Sequence, residues 1–207
     1  MVLFISATKM EIEPILKNKR AKIIVEKPWE CYRVDKYYFV ISGIGKSLAG
    51  GAVTFAITQF KPTWIVNLGI AGAYPNSSIK IGEVLYGIEE IFGDEPFEEE
   101  PIKLFVPRFL RESIRGGRFV TLSRIPETVY EAQEIEKKTQ GICENMEGAS
   151  IAKIANLFGV SCTEIRAISN IAGIRDKSKW DIDSAVDNLS NYILSHWEEF
   201  DEVENSL

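Results

Sequence analysis

What is scarce in this chain narrows it first. Histidine occurs once, as His196, and cysteine three times, as Cys31, Cys143 and Cys162. No two cysteines stand at C-x-x-C spacing and the histidine is far from all of them, so neither a zinc site nor a redox dithiol finds its ligands. Scattered thiols in odd number suit a reducing cytoplasm. No apolar run reaches the ~18 residues that span a bilayer. The opening MVLFISATKME lacks the basic start and cleavage site of a secretory leader, and VLFIS reads as a first strand. Positive charge is in deficit as well. The 24 Lys and Arg against 30 Asp and Glu leave −6, which argues against nucleic acid as the main partner. No repeat or linker divides the 207 residues, so a single domain over 1–207 is expected, long enough to bury a core without disulfides or metal.

What is present alternates. VLFIS (2–6), AKIIV (21–25), WECYRV (29–34) and YYFVIS (37–42) read as strands separated by turn residues. Leu48, Ala52, Phe55 and Ala56 then share one helical face. TWIVNLGIAGAY (63–74) reads as a buried strand running into a glycine-rich loop, and EVLYGIEEIF, RFVTLS and GICENM as further strands. GDEPFEEEP (93–101) reads as a solvated acidic loop, and ETVYEAQEIEKK as an exposed helix. EGASIAKIANLF (147–158) has its polar residues Ser150, Lys153 and Asn156 on one narrow stripe, so most of that helix should be buried. SCTEIRAIS is the last strand, and the tail from about Trp180 is a terminal helix. Strands alternating with helices, several strands continuously apolar, make an α/β layered fold with a parallel or mixed sheet.

In such folds ligands bind beyond the carboxyl ends of the strands. Those ends bring Glu11, the turns Gly43-Ile44-Gly45 and Gly69-Ile70-Ala71-Gly72, Asn145-Met146-Glu147 and Ser169-Asn170 towards one region. Two carboxylates, an amide and two glycine turns suit a small-molecule cleft. SGIGKS is not a phosphate-binding P-loop, because that spacing needs glycine where Val40 stands. Each residue also has a plainer reading. Glu11 and Glu147 can be exposed acids at helix starts, Met146 a core residue, and Arg166 half of a structural ion pair.

The combination outweighs the parts. SGIGK (42–46), NLGIAG (67–72), MEGA (146–149) and RAISN (166–170), in that order, resemble the nucleoside phosphorylase/nucleosidase superfamily over most of the chain. Within it, GIAGAY, ENMEGAS and RAISNIAGIRDKSKWDI look most like the futalosine hydrolase family, of the menaquinone-forming futalosine route. The relatives that act on methylthioadenosine and S-adenosylhomocysteine carry aspartate at the position of Asn170 and serine at that of Ile70.

The resemblance implies a three-layer α/β/α domain with a mixed central sheet and hydrolysis of the bond between ribose C1′ and the purine. In such reactions the sugar gains oxocarbenium character while the base leaves with negative charge. By motif position Glu11 is the general base for water and Glu147 receives the ribose hydroxyls. Met146 packs on the sugar, and Arg166 holds a carboxylate and shapes the water site. Asn170 reads the base, with Ala71, Gly72, Asn145 and Ser169 as base or loop contacts. An amide NH2 donates to the two acceptors of a 6-oxopurine, N7 and O6, which suits hypoxanthine. Arg175, Lys177 and Lys179 are candidates for a carboxylate on the 5′ substituent, or an ordinary solvated loop with Ser178 capping the next helix. The resemblance implies no cofactor, no metal, no membrane, a nucleoside as the partner and a homo-oligomer, as a dimer. A phosphorylase would need cations around its anion, of which Lys46 is the candidate. A methylthioadenosine/S-adenosylhomocysteine or aminodeoxyfutalosine nucleosidase and a non-catalytic nucleoside-binding protein are the remaining alternatives.

Overall fold

The computed structural model describes residues 1–95 and 100–206. Its frame is set by β1 (Val2–Ser6), whose five residues are all buried. The side chains of a strand alternate between faces. Val2 and Phe4 accordingly enter one core and Leu3 and Ile5 another. The first core is closed by α1 (Lys9–Asn18), α6 (Ile182–Ser195) and α7 (Trp197–Ser206), through Ile12, Ile15, Leu189, Ile193 and Phe200. The second is closed by α2 (Lys46–Phe60) and α5 (Gly148–Leu157), through Ala52, Val53, Ala56, Ile151 and Ala152. Helices on both faces of one sheet are the expected three layers.

The strands are β2 (Lys22–Val25), β3 (Cys31–Val34), β4 (Tyr37–Ile41), β5 (Trp64–Ala73), β6 (Val84–Phe92), β7 (Ile102–Lys103), β8 (Arg115–Thr121), β9 (Cys143–Asn145) and β10 (Ser161–Ile171). α3 (Arg108–Ser113) and α4 (Val129–Thr139) flank β8. The sheet is mixed. β1 is parallel to β4 and β5, and β4, β3 and β2 continue from it as an antiparallel wing. Beyond β5 the sheet curls on itself. β5 pairs with both β9 and β10, which are joined through β8 and β6, so five strands form a closed ring. A third apolar cluster, with Ala71, Leu85, Phe119, Cys143 and Ile168, draws on all five of these strands.

Several details depart from expectation. NLGIAG is not a loop, since β5 runs through it to Ala73, and β10 likewise runs past Ser169 and Asn170. The buried face of α2 is turned by one position, onto Ala49, Ala52, Val53 and Ala56, and Leu48 is half exposed. α5 ends with Leu157 and Phe158 in solvent. The tail is two helices that break at His196, and the cap of α6 is Asp181, which accepts from Ser184 N, in place of Ser178. Of the acidic stretch 93–101, residues 96–99 lie outside the described residues. The three cysteines are free and buried. No helix among the described residues is long and apolar enough to cross a membrane.

Candidate active site

A cleft of about 250 Å³ opens where β1, β5, β9 and β10 end. Its lining includes Glu11, Ala71, Gly72, Asn145, Met146, Glu147, Ser169 and Asn170. Eight of the nine residues assigned from sequence are therefore brought together, and the ninth, Arg166, is buried beside them. The lining also includes the strand-end residues Thr8, Met10 and Ile44, and Ile125, Glu144 and Trp180, none of which was assigned a role from sequence.

Glu11 sits in the first turn of α1, yet it is only 5% exposed, so the reading as an exposed helix acid fails. Its Oε2 accepts from Thr8 N and Thr8 Oγ1, both at 2.8 Å, and from Ser6 Oγ at 3.1 Å. Its Oε1 accepts from Ile70 N at 3.0 Å. The apolar side chain at position 70 thus leaves the backbone contact intact. Such a buried carboxyl group is held in one rotamer, with both oxygens hydrogen-bonded.

Arg166 lies opposite Gly69 in the parallel β10–β5 ladder. A Cβ on Gly69 would lie 2.2 Å from Arg166 Nη1 and 2.7 Å from Glu11 Oε1, so the missing side chain is what admits both groups. Arg166 Nε donates to Glu164 Oε1 at 2.8 Å, an ion pair with both members buried. Burial opposes the guanidinium charge, but Glu164, Glu147 and Glu11 outweigh it and push its pKa up. Its Nη2 has no hydrogen-bond partner among the described residues. Arg166 is both a structural ion pair and a cation set against the two cleft carboxylates.

Glu147 precedes α5, and its Oε1 accepts from Gly45 N at 2.8 Å. The positive φ of Gly43 (82°) and Gly45 (96°) shapes the turn that presents this N–H. Burial raises the Glu147 pKa, and Arg166 and the Gly45 N–H act against that rise. Asn145 is used up inside the protein. Its Oδ1 accepts from Glu147 N (2.9 Å) and Gly148 N (2.7 Å), and its Nδ2 donates to Glu90 Oε1 at 2.5 Å. Its side chain therefore holds the loop that carries Met146 and Glu147.

Asn170 lies opposite Gly72, because a register shift between Ile168 and Asn170 places Ser169 in a bulge of the ladder. Ser169 Oγ donates to Asn170 Oδ1 at 2.8 Å. The other neighbour of Gly72, on β9, is Glu144. Trp180 is the aromatic among the described lining residues, and its Nε1 donates to Ile174 O at 2.7 Å. The stretch between β10 and Trp180 leaves Arg175, Lys177 and Lys179 exposed, and none of them lines the cleft. Lys46 is paired with Asp94 and with Glu95 (2.8 Å).

Residues 106–195 match the model of the Phosphorylase superfamily. The chain is 27% identical to futalosine hydrolase of Thermus thermophilus, with 93% of each chain covered. It is 26% identical to aminodeoxyfutalosine nucleosidase of Campylobacter jejuni, covering 93% of this chain and 96% of that one. The crystal structure of a 5'-methylthioadenosine/S-adenosylhomocysteine nucleosidase from Helicobacter pylori superimposes with a TM-score of 0.85 at 18% identity, over 96% and 97% of the two chains. The chain thus has the fold of the nucleosidases and resembles futalosine hydrolase in sequence along nearly its whole length, with the Phosphorylase superfamily model matched over residues 106–195.

Proposed function

We propose that the chain is an N-ribosyl hydrolase that cleaves the purine–ribose bond of futalosine, releases hypoxanthine and serves the futalosine route of menaquinone biosynthesis in the cytoplasm. The observation that carries this reading is the pair of buried cleft carboxylates, Glu11 and Glu147, set against one buried arginine. Glu11 takes the proton of the attacking water. Its hydrogen bonds hold it aimed, and a carboxylate there favours the oxocarbenium-like sugar. Glu147 accepts from the ribose hydroxyls, Met146 packs on the sugar, and the free Nη2 of Arg166 supports the water. Asn170 presents its NH2 to the 6-oxopurine over Gly72, and Trp180 packs on the base. Ala71 and Ser169 line the base pocket, and Asn145 acts on the loop. Lys46, the cation that a phosphorylase would need, is already neutralised by two acids, which favours water as nucleophile. The half-exposed apolar side chains Met10 and Ile44 at the mouth of the cleft, with Leu48, support work as a homodimer. The test is a product assay with futalosine, aminodeoxyfutalosine, methylthioadenosine and inosine, with and without phosphate. Free hypoxanthine and free sugar from futalosine, at a rate independent of phosphate, are expected. A sugar 1-phosphate, or a preference for a 6-amino nucleoside, overturns the reading.

A further inference from the structure

We propose that Glu144 is the acid that protonates the departing purine. This rests on the hydrolase reading above and answers a gap in it, since the amide of Asn170 holds a base but has no proton to give up. Glu144, Gly72 and Asn170 form one row across β9, β5 and β10, each being a cross-strand partner of its neighbour. Directly paired residues project from the same face of a sheet. A Cβ on Gly72 would lie 3.1 Å from Asn170 Nδ2 and 3.4 Å from Glu144 Oε1, so the two side chains approach each other over the bare glycine at the floor of the cleft. Glu144 is 3% exposed, and its Oε2 has no hydrogen-bond partner among the described residues. A buried carboxyl oxygen without a partner is costly, and Glu144 lines the cleft in which the base would sit, with its Oε1 over Gly72.

The groups that face this carboxyl suit the role. Burial pushes its pKa up to about 8, the Tyr74 hydroxyl acts against that rise, and Glu131 on α4 adds to it. Neither Tyr74 Oη nor Glu144 Oε2 closes a hydrogen bond within the described residues. At neutral pH the group is a neutral acid beside a neutral amide. As the C1′–N9 bond breaks, its electron pair goes to the base and the Glu144 proton goes to a ring nitrogen of that base, leaving Glu144 as a carboxylate. Water forms the new C1′–O bond and gives its proton to Glu11. Proton exchange with solvent after product release restores both carboxyl groups.

The experiment compares wild type and Glu144→Gln on two substrates across pH. One is futalosine. The other is 4-nitrophenyl riboside, whose leaving group departs as a stable anion and needs no proton. Glu144→Gln is expected to lose about 10²–10⁴-fold in kcat on futalosine, to keep near-wild-type turnover of the nitrophenyl riboside, and to lose the alkaline limb of the wild-type profile. Retained turnover of the riboside also shows that the variant is folded. Retained turnover of futalosine, equal loss on both substrates, or a surviving alkaline limb overturns the acid role while leaving the hydrolase reading intact. A wild-type protein that releases no base from futalosine overturns both.

Discussion

Ser169 Oγ donates to Asn170 Oδ1 at 2.8 Å, and this bond sets which end of the amide is left for a ligand. The Nδ2 lies over Gly72, where it is a donor. A mismatched buried polar contact costs about 1–3 kcal/mol, or roughly 5- to 150-fold in kcat/KM. Asn170→Asp should lower kcat/KM on futalosine by a factor in that range and raise activity on the 6-amino analogue. Ser169→Ala, which leaves the amide held among the described residues only by Nδ2 donating to Ile171 O at 3.3 Å, should narrow the preference between the two nucleosides. Kinetics of all three proteins on both substrates check this. Equal changes on both substrates would mean that Asn170 holds the strand end and does not read the base.

The two cleft carboxylates should separate kinetically. Glu11→Gln removes a general base and should cut kcat by about 10²–10⁴-fold with KM nearly unchanged. Glu147→Gln removes a contact that tightens as charge develops on the sugar, so it should harm kcat and KM together. Steady-state kinetics and direct binding of a non-hydrolysable nucleoside analogue distinguish the two patterns.

Glycines 69 and 50 offer a matched pair. Ala at position 69 would drive a methyl group into Arg166 Nη1, whose guanidinium is fixed on Glu164. Overpacking of this kind costs about 1–3 kcal/mol, and Gly69→Ala should lower both the melting temperature and the activity. Gly50 lies inside α2 with nothing within 4 Å of an added Cβ. Gly50→Ala should stabilise the protein by about 0.5–1 kcal/mol without touching turnover. Denaturant titrations of both variants check this.

Glu144 also predicts a pH dependence of stability. Its pKa of about 8 in the folded chain lies well above the usual carboxylate range, so the native state binds this proton more tightly than the unfolded chain does. Its contribution is present in full below the unfolded value and falls away as pH rises through about 8. Relative to wild type, Glu144→Gln should therefore gain stability at pH 9 and gain least below pH 5. Melting curves across pH would contradict this if the difference between the two proteins were flat.

The layers and nearly all the cleft residues were legible because they rest on local signals. Those signals are a strand that alternates between two cores, glycine turns at strand ends, and short motifs such as MEGA and RAISN. Glu144 was not legible. In GICENM it reads as one more strand residue, and only the pairing of β9 with β5 sets it beside Gly72. Asn170 was read correctly as a cleft residue, but the bulge at Ser169 that turns it there leaves no mark in the sequence. NLGIAG reads as a loop in sequence because two glycines in six residues weaken any strand pattern. Their reason is non-local, in Arg166, Glu11, Asn170 and Glu144. Trp180 lies at the far end of the RAISNIAGIRDKSKWDI stretch, beyond exposed residues, and no local period ties it to the cleft.

The closed ring of strands has a consequence for assembly. A ring has no terminal strand, so β5, β6, β8, β9 and β10 offer few open backbone groups to another chain. The wing ends differently, on β2, which pairs only with β3 among the described residues and carries Ile23 and Ile24 at 47% and 42% exposure. Its flanking Lys22 is the charge that guards this border. Apart from the two-residue β7, which pairs with β6 alone among the described residues, this border for strand addition lies at the end of the sheet away from the cleft. Replacing Ile23 or Ile24 by lysine is a route to a more soluble protein that leaves the cleft alone.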